Sequence, residues 1–163
     1  MLKDQLKEDQ KNALKSGDSA RRTLLGMVMS AIKNKELEKR GKLAKTISDL
    51  AKIDAESQLN DEEIIAVIAS EVKRRKDSAA EFEKGGRPEL AESEKKEIEI
   101  LTSYLPEQIS DEELKSLVQK AISLTGASSP KDMGKVISAV MAEVKGKADG
   151  QRVSATVKSL LAD

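Results

Sequence analysis

The chain contains neither cysteine nor histidine among its 163 residues. A disulfide framework, a thiol nucleophile and a zinc site of the Cys/His type are therefore excluded. No Ser-His-Asp triad can be built, and no imidazole can act as a general base. Catalysis would have to rest on carboxylates, lysine, serine, threonine and a single tyrosine. Aromatic residues are equally scarce, Phe82 and Tyr104 being the only two. That argues against a stacking platform for single-stranded nucleic acid. It also argues against a β-sandwich, whose pleated faces are filled by aromatic and β-branched side chains. The opening residues MLKDQLKEDQK are charged from the third position and lack the apolar run of a signal peptide. No stretch approaches the roughly 20 apolar residues of a membrane span. With cysteine absent as well, a soluble protein in a reducing, cytoplasmic compartment is expected, with no membrane partner. Net charge is also missing, with 29 basic against 29 acidic residues. Nothing draws the whole molecule to a polyanion, so a nucleic-acid partner would have to meet a local patch.

What the chain has in abundance is charge, at 36% of residues against 38% hydrophobic. A core must be assembled from aliphatic stripes on otherwise charged helices. The length suits one domain or two small lobes. Leu2, Leu6, Ala13 and Leu14 fit one helical face, closed by Ser16-Gly17-Asp18. Asp18 then caps a second helix carrying Leu24, Leu25, Val28, Met29 and Ile32, with Gly41 as its stop or kink. In residues 42–59 a helix is expected from Leu43, Ile47 and Leu50. Asn60 followed by Asp61-Glu62-Glu63 starts another helix, with Ile65, Ile68, Val72, Ala79 and Phe82 as its stripe and Gly85-Gly86 as its end. Pro88 opens the next helix, which carries Ile98, Leu101 and Leu105 and closes before Pro106.

The rest reads as three amphipathic helices. Ser110 caps the first, whose face is Leu114, Leu117, Val118, Ala121 and Ile122, and Gly126 ends it. Ser129-Pro130 starts the second, with Met133, Val136, Ile137, Val140, Met141 and Val144. The third begins near Asp149 and shows Val153, Val157, Leu160 and Leu161. The expected fold is all-α, in two small helical lobes: an N-terminal lobe over residues 1–106 and a C-terminal three-helix bundle over residues 107–163.

Three basic clusters are candidate sites. Lys73-Arg74-Arg75-Lys76 is the densest, and a solvated helix face is its favoured reading. Arg75 resists that reading because it falls in the apolar stripe between Val72 and Ala79. It is expected either to snorkel or to meet a carboxylate of the following helix, Glu94 or Glu97. Lys131 and Lys135 are four apart and share one side of a helix. Gly134 between them is read as a close-packing position, in preference to a ligand site. Lys145-Gly146-Lys147-Ala148-Asp149-Gly150, followed by Arg152, is a glycine turn ringed by cations. It reads equally well as a phosphate-holding loop and as a solubilised helix–helix turn. The spacings of a Walker loop, a dinucleotide fingerprint, a zincin helix, an EF-hand and a kinase are all missing. No catalytic residue, metal ligand or cofactor is expected.

The segments EVKRRKDSAAEFEKGGRPELAESEKKEIEILTSYLPEQISDEEL and GASSPKDMGKVISAVMAEVKGKADGQRVS closely resemble the YqeY family. The N-terminal KNALKSGDSARRTLLGMVMSAIKNKE does so too. The resemblance covers nearly the whole chain, residues 42–59 looking like an insertion relative to shorter members. It implies an all-helical two-lobe fold. It also implies likeness of the C-terminal lobe to the tRNA-contacting tail of the B subunit of the tRNA-dependent glutamine amidotransferase. A related module is appended to some glutaminyl-tRNA synthetases. The implied role is a tRNA-associated accessory that assists aminoacylation or amidation in trans, with a synthetase or amidotransferase as partner. The tRNA-binding residues would be Lys131, Lys135, Lys145, Lys147 and Arg152. Arg75, Gly134, Gly146, Asp149 and Gly150 would be structural motif positions. Lys147 stands where arginine is common, which keeps the charge and loses bidentate geometry. The resemblance also carries a label of carbon–nitrogen ligase activity with glutamine as amido-nitrogen donor, although no phosphate loop or amidase nucleophile constellation is visible in this chain. Docking on a protein partner without RNA contact is the alternative.

Overall fold

Gly17 adopts φ 76° and closes the first helix, α1 (Leu2–Ser16), in a left-handed turn that only glycine makes without steric cost. Asp18 then accepts the Arg21 amide and starts α2 (Ser19–Leu43). The computed structural model describes residues 1–161. Beyond α2 it continues with α3 (Leu50–Ser57), α4 (Asp61–Lys84), α5 (Pro88–Thr102), α6 (Asp111–Thr125), a 3-10 turn at Pro130–Asp132, α7 (Met133–Val144) and α8 (Gly150–Leu161). Among the described residues there is no strand, and no helix is long and apolar enough to cross a membrane. The chain divides between Tyr104 and Leu105 into two compact units.

In the N-terminal unit α1 packs on α2, α4 packs on α5, and α2 and α4 join the two pairs. Leu6, Leu24, Leu25, Val28, Ile32, Ile64, Ile68 and Leu101 are buried at the centre. Each large aliphatic side chain so removed from water contributes roughly 1.5–3 kcal/mol. A capping box at Asn60 and Glu63 fixes the start of α4.

Several expectations about this unit need correction. Gly41 does not stop α2, which runs on to Leu43. Leu43, Ile47 and Leu50 do not form one helical face. Residues 44–49 are not helical, and Asp49 starts α3 by accepting the amides of Ala51 and Lys52. Leu50 is left exposed and Ile53 becomes the anchor of α3. On α4 the buried register begins at Ile64 rather than Ile65. Leu14 of α1 is exposed, because the helix ends two residues later and the chain turns away.

The C-terminal unit has its own core. Leu114, Val118 and Ala121 of α6 meet Val136, Val140 and Val144 of α7 and Val153 and Val157 of α8. Ser110 and Glu113 form a second capping box. The start of α7 differs from the expected one. Ser129-Pro130 opens a 3-10 turn instead of an α-helix, because the Asp132 carboxylate folds back to accept the Ser128 and Ser129 amides and the Ser129 hydroxyl.

Candidate nucleic-acid interface

The lysines of the two C-terminal motifs lie at opposite ends of α7. Lys131 sits in the 3-10 turn and Lys135 in the first turn of the helix, and both are exposed. Lys135 Nζ donates to the Thr125 carbonyl at 3.0 Å, one of the acceptors left over at the C-terminus of α6. Amide bonds from Ser128, together with the Ser129 hydroxyl and amide, hold the Asp132 carboxyl below its ordinary range. Gly134 is not the close-packing position the sequence suggested. A Cβ placed there would meet nothing within 4 Å. The 3-10 turn puts this glycine second in α7, exposed, with no neighbouring helix against it.

At the other end, α7 stops where Lys145 enters the left-handed region at φ 42°, ψ 51°, followed by Gly146 at φ 86°. Such a conformation costs a non-glycine residue roughly 1–2 kcal/mol. The turn is stitched to the segment before α6. Gln108 Nε2 donates to the Gly146 carbonyl at 2.8 Å, and the Ile109 amide donates to the Lys147 carbonyl at 2.9 Å. The Lys147 amide donates back to Val144 at 2.8 Å. Asp149 caps α8 by accepting the Arg152 amide at 2.8 Å, and Gly150 is the first residue of that helix.

Arg152 is drawn into this stitching. Its Nη2 donates to the Ile109 carbonyl at 3.0 Å and to Asp111 Oδ1 at 2.6 Å, so its guanidinium spans α8 and the start of α6. Lys145 and Lys147 are exposed. Lys147 also helps to lower the Glu113 carboxyl, after the larger effect of the Ser110 amide and hydroxyl. The structure thus groups Lys131 with Lys135, and Lys145 with Lys147. Ten residues at 1.5 Å each separate the two groups by about 15 Å along α7.

In the N-terminal unit Arg75 is buried and meets Glu97 of α5 at 2.8 Å and Glu71 at 2.7 Å. Of the two carboxylates considered from the sequence, Glu97 is the partner. Burial alone would depress the Arg75 guanidinium, but its bonds to Glu97 and Glu71 raise it above its ordinary value. Arg74 shares Glu71 from the surface at 2.7 Å.

Other polar anchors went unnoticed in the sequence. Glu36 is buried on α2, where it accepts from Lys3 of α1 and from the Leu59 amide at 3.3 Å. Tyr104 donates to Asp9 Oδ2 at 2.6 Å and accepts from Arg21 at 3.4 Å. Burial and then the Asp9 bond push its phenol up. Glu36 falls in a run of charges that gives no sign of an inward direction. Tyr104 is flagged only by being the one tyrosine.

A groove of about 440 Å³ runs between α2 and α4, its floor including Ala31, Ala66 and Val67. Lys39 reaches across its wall to Glu63 at 2.8 Å. Among the described residues no group of three or more carboxylates is arranged to hold a metal ion.

The family described as "Yqey-like protein" matches residues 3–161. Curated relatives carry the name "Altered inheritance of mitochondria protein 41, mitochondrial". The one from Lachancea thermotolerans is 37% identical over 100 residues, which is 61% of this chain and 46% of that protein. The one from Kluyveromyces lactis is 36% identical over 61% of this chain and 45% of its own length. The one from Clavispora lusitaniae is 35% identical over 68% of this chain and 56% of its own length. The chain spans about half the length of the curated relatives it matches.

Proposed function

The chain belongs to the YqeY family, and from that premise we propose that its C-terminal unit binds tRNA through phosphates, as an accessory to aminoacylation or tRNA-dependent amidation carried out by another protein. The observation that supports this reading is the set of four exposed lysines, Lys131, Lys135, Lys145 and Lys147, at the two ends of one helix. Arg152 has a structural part in the reading, since its guanidinium is engaged by Asp111 and Ile109. Contacts of this type position a protein on a nucleic acid without reading its bases. The C-terminal unit, which begins after Tyr104, has no aromatic residue, which turns the reading away from splayed bases and toward folded RNA recognised by its backbone. Carbon–nitrogen ligase chemistry is assigned to the partner, a synthetase or amidotransferase, and not to side chains of this chain. The compartment is one that charges tRNA. The composition points to cytoplasm, and the name of the relatives to mitochondria.

The test is fluorescence anisotropy with labelled tRNA at several salt concentrations. A few neutralised phosphates should give a slope of log affinity against log salt of roughly −2 to −4. Lys145→Ala and Lys147→Ala should each weaken binding across tRNA species without changing preference. Lys73→Ala combined with Lys76→Ala should matter less. Undetectable binding at low salt would overturn the proposal. One observation favours the alternative of protein docking, namely the groove between α2 and α4, whose floor is aliphatic and whose volume lies in the usual range for binding clefts. A pull-down analysed for both RNA and protein separates the two.

A further inference from the structure

The outward face of α7 is charged only at its ends. Val136, Val140 and Val144 are buried on one side. At 100° per residue, Gly134, Lys135, Ser138, Ala142 and Lys145 fall on the other, and all five are exposed. Between Lys135 and Lys145 this face offers only uncharged side chains, short at Ser138 and Ala142 and bordered by the exposed Met141, over about 15 Å. Glu143, the acidic residue of α7, turns aside to Lys120 of α6 at 3.5 Å. Ser138 Oγ donates to the Gly134 carbonyl at 2.8 Å and keeps its lone pairs available as acceptors.

We infer that α7 lies across the minor groove of an A-form RNA duplex, with Lys131 and Lys135 on the phosphates of one strand and Lys145 and Lys147 on those of the other. This rests on the tRNA reading and narrows it to double-helical stems. Two cationic groups about 15 Å apart with nothing charged between them present the charge pattern that complements two phosphate rows bordering a neutral floor. The A-form minor groove is wide and shallow and displays 2′-hydroxyls. A flat helix face can rest on such a floor, where the Ser138 hydroxyl can accept from a ribose.

The other forms fit less well. The B-form minor groove, about 6 Å wide, is too narrow for a helix, and the major groove, about 8.5 Å deep, calls for long side chains that the middle of α7 lacks. A single strand laid along the face would leave its central phosphates opposite Ser138 and Ala142 without a cation. Lys145 supports the assignment as well. Its left-handed backbone turns the chain at the end of α7 while its side chain stays exposed beside that of Lys147.

The experiment uses the full chain and four labelled probes: a tRNA, an RNA duplex of about two helical turns, the DNA duplex of the same sequence, and one RNA strand alone. The RNA duplex should bind within about three-fold of tRNA and at least about ten-fold more tightly than the DNA duplex or the single strand. Replacing either lysine pair by alanine should make the salt slope shallower by about 2. Ala142→Leu changes no charge and sits on an exposed helical position. It should weaken duplex and tRNA alike by about five-fold or more at an unchanged melting temperature. Binding of tRNA without binding of the RNA duplex overturns the groove assignment and leaves the tRNA reading standing. Equal affinity for RNA and DNA duplexes, or full affinity in Ala142→Leu, also overturns it. Failure of all four probes overturns both.

Discussion

Arg75 and Arg74 are neighbours with opposite fates. Arg75 is 5% exposed at its side chain and joins α4 to α5 through Glu97, while Arg74 is 64% exposed. Truncating one partner of a buried pair strands the other charge, at a cost of about 3–5 kcal/mol. An exposed pair contributes about 0–1 kcal/mol. Arg75→Ala should therefore lower the urea midpoint sharply and Arg74→Ala barely, and equal midpoints would refute the structural role of Arg75. Glu36 offers a pH readout. Burial pushes its carboxyl up, but the bonds from Lys3 and the Leu59 amide outweigh that and leave it lowered. A carboxyl lowered in the folded state contributes stability above its unfolded pKa, near 4.3, and loses it as pH falls through the folded value. Glu36→Gln should thus be less stable than the parent at pH 7 and show a flatter loss of stability below about pH 4.5. Parallel acid limbs in denaturation curves would contradict this. The inward direction of Arg75 was legible because an arginine interrupts an apolar stripe. That of Glu36 was not, because on a helix rich in both charges only the position of Lys3, 33 residues away in the chain, decides which carboxylate is drawn in.

At the scale of elements, caps were the most legible signals and registers the least. Asn60, Ser110 and Asp18 all act as N-caps through their side chains, since the geometry is local and involves three or four residues. On α4 the expected stripe holds at Ile68, Val72 and Ala79 and fails only at its first position, because Ile64 and Ile65 are adjacent and equally apolar, so periodicity cannot choose between them without the packing of α2. The site showed the same division. Residue type predicted the glycine turn, with Gly146 at φ 86° and the next helix starting near Asp149, but neither the cap that Asp149 makes on the Arg152 amide nor the capture of Arg152 by Asp111, 41 positions earlier. Gly134 gave a false signal, because its 3-10 prelude places it in a first turn with open space around it. Gly134→Ala should leave the melting temperature unchanged or raise it, with a gain of up to about 1 kcal/mol. Gly126→Ala, at φ 65° closing α6, should lower it. Thermal denaturation of the two variants side by side checks both signs.

Taken whole, the molecule is neutral in each half as well as in sum. From Leu105 onward there are eight basic and eight acidic residues. Attraction for RNA therefore depends on where the lysines stand, and distant steering should be weak at physiological salt, where the Debye length is about 8 Å. The C-terminal unit has a core of aliphatic residues from three helices and two long-range backbone or amide ties of its own. A fragment beginning at Leu105 should show helical circular dichroism and a single cooperative melt. A non-cooperative, largely unfolded fragment would show that the unit depends on the rest of the chain.

The stitched turn at the end of α7 also bears on where a protease can cut. Trypsin needs an extended stretch of chain, so it reports local opening more than surface exposure. Lys145 and Lys147 are exposed, yet bonds to Gln108 and Ile109, 38 residues earlier in the sequence, tie their backbone down. Lys42 and Lys45 lie where α2 gives way to the turn before α3, and the bonds of that turn reach back no more than four residues. Brief digestion followed by mass spectrometry should find the first cleavage after Lys42 or Lys45, with the lysine-rich turn surviving until the C-terminal unit itself unfolds.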